Sequence, residues 1–169
     1  MLRRTVLVLI ALAALLGALV GNALGTPASG FTVETARGPL VDRPLDFSME
    51  FENGDTAEVE VRTKGPIEIA YQRIKIDPGG TLGWHSHPGP TIVTVLSGTL
   101  SFYHAEHCTE EIEYQSGESF SNLPHEIHLA RNEGTTDVVL YASYFVRKTT
   151  PPVALRIDQP LPAPGCPAP

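Results

Sequence analysis

Hydrophobic and polar residues alternate with a period of two along much of this chain. The alternation is clear at residues 57–62, continues over 67–73, and is followed by a run rich in β-branched residues at 91–96. Residues 137–146 form the longest apolar and aromatic stretch. A period of two is typical of strands with one buried face, and no segment after residue 25 has a helical period. The pattern therefore predicts an all-β protein.

Glycine and proline separate the predicted strands. The chain contains 15 of each among its 169 residues, which argues against a helical bundle. Residues 77–80 (DPGG) predict a turn, and residues 53–54 (NG) predict a hairpin turn. Residues 97–98 (SG) separate strand 91–96 from strand 99–103, so these two strands are predicted to form a hairpin. Many short strands at close spacing indicate an antiparallel sandwich or barrel.

The last nineteen residues, 151–169, differ from the rest of the chain in composition. Seven of them are proline. Such a segment is extended, and it either lies along the body of the protein or is partly disordered. We therefore expect a single β-barrel domain over residues 26–150, with its main motifs within 67–146, followed by a Pro-rich C-terminal tail.

Residues 1–25 predict a secretory signal peptide. A basic pair at residues 3–4 precedes an uncharged apolar run, and Ala23 and Gly25 are small residues at the −3 and −1 positions of a cleavage site. The protein is therefore expected to be exported, whether periplasmic, cell-surface or secreted. An uncleaved N-terminal membrane anchor is the alternative, because the apolar run is just long enough to span a bilayer.

The charge of the chain limits its partners. The formal net charge is −7 and the pI is near 5.3. An acidic surface repels phosphate backbones and anionic lipid, so we expect no nucleic-acid partner and no membrane partner after signal cleavage.

The chain contains two cysteines, Cys108 in a predicted loop and Cys166 in the tail. In an oxidising compartment an even number of cysteines suggests a disulfide. A bond between these two would fasten the tail to the body. Two unpaired thiols are the alternative.

Three histidines are candidate metal ligands. His85 and His87 are separated by one residue, so on a strand both side chains point to the same face, about 6–7 Å apart along the backbone. Two imidazoles in that position can converge on one cation. His128 lies on another predicted strand and would complete a facial set, which leaves coordination positions open for water, oxygen or substrate.

The residues around these histidines resemble the two motifs of the cupin superfamily. The first motif has a glycine, five residues, His-x-His, an acid and a closing glycine, and the matching residues are Gly79, His85, His87 and Gly98. The second motif begins with glycine and ends with histidine, three residues and asparagine, and the matching residues are Gly117, His128 and Asn132. The resemblance implies a jelly-roll β-barrel that holds a metal ion inside the barrel through the three histidines.

The chain also departs from these motifs. Thr91 occupies the position of the acidic ligand, and a hydroxyl is a poor ligand for a divalent metal beside a carboxylate. Glu126, which strand alternation places on the same face as His128, is a candidate for an extra ligand or for an acid that hydrogen-bonds a ligand. In the second motif the proline is displaced to Pro124, and the inner glycine position is His125.

Two functions fit these observations. The first is an exported metal-binding cupin that uses one divalent ion (Fe, Mn, Zn, Ni or Cu) as a small-molecule oxidoreductase, because certain cupin dioxygenases use three histidines without the acid. The second is a non-catalytic cupin that binds or senses a small ligand or a metal outside the cytoplasm, because loss of a ligand is typical of a binding-only relative. The partner is a small molecule in both cases. The resemblance also implies a homodimer formed through the sheets.

Overall fold

The computed structural model describes residues 25–40, 45–50 and 58–169, and these residues lie mostly in strands. Residues 1–24 of the signal peptide predicted over 1–25 fall outside these ranges, as does the turn predicted at residues 53–54. The strands are β1 (Ser29–Pro39), β2 (Asp46–Glu50), β3 (Glu58–Arg62), β4 (Ile67–Ser86), β5 (Thr91–Ser97), β6 (Thr99–His104), β7 (Ile112–Gln115), β8 (Ser119–Asn122), β9 (His128–Arg131), β10 (Val138–Arg147) and β11 (Ile157–Asp158). A 3₁₀ turn at Ala105–His107 follows β6. Within the described ranges, no helix has the length and apolar character needed to cross a bilayer.

The main sheet wraps into a jelly-roll barrel, which confirms the predicted all-β fold. Its strands follow the order β7-β6-β9-β4-β10-β5-β8, and β1 and β11 also pair with β4. Strands β2 and β3 form a separate antiparallel pair. Residues between the two layers of the barrel form the core, in which β10 buries alternating side chains such as Leu140, Ala142 and Tyr144.

Strand β4 belongs to both layers of the barrel. Its first part, up to Ile76, pairs with β1 and β10, whereas its last part, from Thr81, pairs mainly with β9 and β11. The turn predicted at residues 77–80 is therefore wrong, because the strand continues through this segment. Gly79 has a φ of 73°, and a Cβ on Gly80 would collide with the backbone of Gly30. The glycines permit a bend and a close backbone approach inside one strand.

Asn132, the last residue of the second motif, holds this bend. Its backbone amide donates to the Gly80 carbonyl over 2.9 Å, and its carbonyl accepts from the Gly79 amide over 2.9 Å. Its side-chain Nδ2 donates to the Ile76 carbonyl over 3.0 Å. Asn132 is buried, so these bonds satisfy polar groups that water does not reach. The motif asparagine is therefore structural.

Strands β5 and β6 do not pair with each other, so the hairpin predicted for them is wrong. Strand β5 pairs with β10 and β8, whereas β6 pairs with β9 and β7. Gly98 has a φ of 80°, and a Cβ there would meet the carbonyl oxygen of Asp137. The glycine turns the chain from one layer to the other, since a short connection can also join strands of opposite layers.

The Pro-rich tail lies along the barrel, as one of the two sequence alternatives predicted. Strand β11 pairs with the end of β4 and places Asp158 opposite His85. The indole Nε1 of Trp84 donates to the Pro167 carbonyl over 3.1 Å. Cys108 and Cys166 are joined by a disulfide, so the predicted pairing is confirmed. The tail therefore forms part of the wall next to the His-x-His segment.

Candidate metal centre

The structure brings the three predicted histidines together inside the barrel. His85 is at the end of β4, His87 follows that strand, and His128 begins β9 as the cross-strand partner of His85. All three side chains are buried. Their ring centroids are 4.3 to 5.1 Å apart, and their ligating nitrogens lie within 4.8 Å of one another. Three imidazoles at this separation can share one ion.

Hydrogen bonds from the backbone set the tautomer of each ring. Nδ1 of His85 donates to the Gly83 carbonyl over 2.8 Å, and Nδ1 of His128 donates to the Glu126 carbonyl over 3.0 Å. Nδ1 of His87 donates to the Leu155 carbonyl of the tail over 2.7 Å. A carbonyl oxygen only accepts, so Nδ1 carries the hydrogen in each ring and Nε2 keeps a free lone pair. Such bonds orient histidine ligands in metal sites.

The three imidazoles are neutral at neutral pH. Burial lowers the pKa of His128 to about 3, with a further contribution from His87. Burial also lowers the pKa of His85 and of His87 below the ordinary value, and the positive charge of Arg156 lowers both further. A neutral imidazole is the form that binds a metal. The donor set therefore fits a divalent ion without any prior loss of protons.

The space between the histidines is small and mainly apolar. This inner cavity has a volume of about 30 Å³, close to that of one water molecule. Its wall includes Leu100, Phe102 and Val93, and the Phe102 ring stacks on His128 at 5.0 Å between centroids. The inner cavity suits an ion and excludes a larger molecule.

Thr91, the predicted fourth ligand position, is buried on β5 but does not line the inner cavity. Its hydroxyl oxygen accepts a hydrogen bond from Nδ2 of Asn122 over 2.9 Å, across the β5–β8 pair. Asn122 does line the cavity, and its Oδ1 is buried with no hydrogen-bond partner among the described residues. A neutral Thr–Asn pair thus stands where the motif has an acid. Asn122 could not be recognised from the sequence, because only strand pairing brings it opposite Thr91.

Glu126, the other candidate for an extra ligand, is turned away from the three histidines. Its carboxylate lies 2.6 Å from Nδ1 of His104 and accepts from the Leu123 amide over 2.7 Å. The strand alternation that placed Glu126 beside His128 is wrong here, because β9 begins only at His128. His125, at the inner glycine position of the motif, has a φ of 62°, which is the left-handed conformation that favours glycine.

A second, outer cavity lies against two of the histidines. It has a volume of about 320 Å³, and its wall includes His85, His87, Tyr144, Gln72, Phe31 and Arg156. The phenol of Tyr144 donates to Oε1 of Gln72 over 2.8 Å, and burial raises the pKa of Tyr144. Arg156 comes from the tail, where it is the only basic residue. Arg156 is not among the residues predicted for the site, and its one signal in the sequence is its isolation as a cation within a Pro-rich segment.

One known protein family matches part of this chain. The model of the cupin domain family matches residues 72–144, the segment from the middle of β4 to β10 that carries all three histidines. No curated protein matches the chain.

Several solved structures are similar to the barrel. An oxalate oxidase is 25% identical over 46% of this chain and 41% of its own, with a TM-score of 0.41. A predicted oxalate decarboxylase from Thermotoga maritima is 24% identical over 50% of this chain and 84% of its own, with a TM-score of 0.40. A cupin domain from Bordetella pertussis is 22% identical over 46% of this chain and 81% of its own, with a TM-score of 0.40. The chain spans less than half of the oxalate oxidase, and likeness at this level does not indicate a shared activity.

Proposed function

Since residues 72–144 of this chain belong to the cupin superfamily, we propose that the protein binds one divalent ion (Fe, Mn, Zn, Ni or Cu) through Nε2 of His85, His87 and His128. The observation that carries this proposal is the set of three Nδ1–carbonyl hydrogen bonds. They prepare three neutral rings in the same tautomer, and such preparation raises metal affinity.

The reaction we propose is the oxidation of a small organic molecule with molecular oxygen as the oxidant. A bound ion supplies open coordination positions and polarises what binds there. The chain supplies the surroundings: the apolar wall around Leu100 and Phe102 excludes bulk water, and the outer cavity holds the organic molecule beside His85 and His87.

The alternative is a non-catalytic cupin that binds or senses a small ligand or a metal outside the cytoplasm. One observation favours it. Among the residues that the structure describes, no Asp or Glu lines the inner or the outer cavity. Burial raises the pKa of Tyr144, so its phenol stays protonated at neutral pH and cannot accept a proton. Apart from the three histidines, the site therefore lacks a side chain that can accept a proton, which many enzymes require.

We also propose that the protein is exported. The disulfide between Cys108 and Cys166 supports this, because disulfides persist in oxidising compartments. The character of residues 1–25 supports it independently.

A homodimer formed through the outer face of the barrel completes the proposal. Tyr71, Tyr141 and Ile92 are each at least half exposed on three neighbouring strands, β4, β10 and β5. Neighbouring exposed apolar side chains on a sheet face are typical of an interface.

The metal content of the purified full chain tests the proposed site. We expect about one equivalent of a divalent metal by elemental mass spectrometry, and its loss in His85→Ala and in His128→Ala. His107→Ala is the matched control, because His107 is exposed and lies outside the cluster. Equal metal content in all four proteins would exclude the three-histidine site.

The identity of that metal separates the two functions. Fe, Mn, Ni or Cu, together with oxygen uptake in the presence of a small organic molecule, would support the oxidoreductase. Zn alone, with no oxygen uptake for any redox-active ion loaded in its place, would support the binding protein.

A further inference from the structure

Arg156 stands at the wall of the outer cavity with part of its guanidinium unused. Its Nε donates to Oδ1 of Asp158 over 2.5 Å. Its Nη2 is buried and has no hydrogen-bond partner among the described residues. Burying a charged donor without a partner is costly. Nη2 itself is not accessible, but 27% of the Arg156 side chain is exposed, so an acceptor in the outer cavity can pair with the accessible part of the guanidinium.

The tail fixes the position of this arginine. The next two residues, Ile157 and Asp158, pair with Ser86 and His85 on β4, and the preceding Leu155 accepts the hydrogen bond from His87. Arg156 is thus held between two contacts with the His-x-His segment. A donor held in place by backbone pairing loses little entropy when it binds a ligand.

The charges around the cavities favour an anion. In the described part of the chain neither cavity is lined by a carboxylate, and an imidazole binds a metal in its neutral form. A bound divalent ion would therefore keep its full charge of two, next to the positive charge of Arg156. Asp158 compensates little, since 61% of its side chain is exposed to solvent. In a cavity of low dielectric, uncompensated positive charge attracts an anion strongly.

The volume and the lining of the outer cavity limit which anions can bind there. A volume of about 320 Å³ is at the lower end of small-molecule sites. Phe31, Ile74, Leu82 and the Tyr144 ring form its apolar surface. A guanidinium matches a planar carboxylate well, because it can offer two parallel donors. The cavity thus combines one anion-binding group with an apolar wall.

We propose that the ligand of this protein is a small organic carboxylate with an apolar body, and that Arg156 of the C-terminal tail binds its carboxylate beside the three histidines. This inference rests on the proposed metal site, since the bound ion contributes part of the positive charge. It assigns the tail a direct part in ligand selection.

The test uses the full chain loaded with Zn, a redox-inactive ion. Calorimetric titration compares three carboxylates, acetate, benzoate and phenylacetate, with their uncharged amides. We expect at least one carboxylate to bind about 10- to 100-fold more tightly than its amide, the range for a charged hydrogen bond. Arg156→Gln is expected to abolish this preference, and Arg156→Lys to retain part of it. Arg147→Gln is the control, because Arg147 is exposed at the end of β10.

The metal content and the thermal midpoint of each variant are measured in the same samples. If Arg156→Gln retains its metal and its fold but binds the carboxylate as tightly as the parent chain, the inference is wrong. It is also wrong if no carboxylate binds the Zn-loaded parent chain more tightly than its amide. Failure of the metal site itself would appear differently, as a parent chain that takes up no Zn.

Discussion

Each histidine of the cluster is prepared by one carbonyl oxygen, and these carbonyls come from three different places. Gly83 and Glu126 each lie two residues before the histidine that they contact, whereas Leu155 lies 68 residues after His87. In the two local pairs the carbonyl belongs to the same stretch of backbone as the ring. The distant pair makes the third ring dependent on the tail. The cluster is therefore a product of side chains and backbone together.

A substitution at Asn122 tests whether the metal site is weakened because the acidic ligand of the motif is replaced by Thr91. Asn122→Asp places a carboxylate at a position that lines the inner cavity, without a change in size. We expect the affinity for a divalent ion to rise about tenfold or more, because an anionic oxygen would face the ion. Competition with a chelator measures the change. Ser121→Asp adds the same charge on the exposed face of β8 and is expected to leave metal affinity unaltered. Equal affinity in both variants would mean that position 122 does not face the ion.

At the scale of elements, β4 and the tail together form the site. Strand β4 crosses from one layer of the barrel to the other and delivers the His-x-His segment at its end. Strand β11 then runs beside that end and positions Leu155 and Arg156. Further along the tail, the disulfide and the Trp84–Pro167 hydrogen bond fasten it to the barrel. The first half of the tail thus positions residues of the site, and the second half attaches the tail to the barrel.

Two shortened chains separate these tasks. A chain ending after Pro160 keeps Leu155, Arg156 and β11 but loses Cys166, whereas a chain ending after Pro152 loses all of them. Both carry Cys108→Ser. We expect the longer chain to keep its metal affinity with a lower thermal midpoint. The shorter chain is expected to lose affinity by about 10- to 100-fold, since the acceptor for His87 is gone.

Chelator competition gives the affinities, and near-ultraviolet circular dichroism shows whether each shortened chain keeps its packed core. A folded shorter chain that binds metal as tightly as the longer one would show that Leu155 has no part in the site.

At the scale of the whole molecule, the buried histidines link stability to pH. In an unfolded chain a histidine titrates near pH 6.5, but burial lowers the pKa of His128 to about 3. Between these values the unfolded chain binds more protons than the folded one, so stability falls as the pH falls. For His128 alone the loss reaches at most about 5 kcal/mol by pH 3. Well above pH 6.5, His128 is neutral in both the folded and the unfolded chain and does not change the stability with pH.

We therefore expect the free energy of unfolding of the metal-free protein to decrease steadily from pH 7 to pH 4 in urea titrations. His128→Gln removes one of the three buried histidines, so its free energy of unfolding is expected to fall less steeply with decreasing pH. His107→Ala should follow the parent chain, since His107 is exposed. Parallel curves for His128→Gln and the parent chain would contradict the lowered pKa of His128.

Much of the fold and part of the site could be predicted from the sequence. The alternation of hydrophobic and polar residues with a period of two predicted the strands. The first motif was recognised from the spacing of Gly79, His85, His87 and Gly98. These features are local, and a local pattern records which face of a strand is buried. The same limit explains the errors: glycines at residues 79 and 98 indicate an unusual backbone, but they do not say whether the chain reverses or changes layers.

The sequence alone determined that the chain is all-β and that three of its histidines stand at a spacing that resembles the cupin motifs, because periodicity and spacing can be read without knowledge of any contact. Only the tertiary structure decided that Asn122 lies opposite Thr91, that Leu155 orients His87, and that Arg156 reaches the outer cavity. The first two are contacts between residues at least 31 positions apart in the sequence, and the third depends on a cavity formed by several strands. Such meetings depend on the path of the whole chain, which no local pattern of polarity encodes.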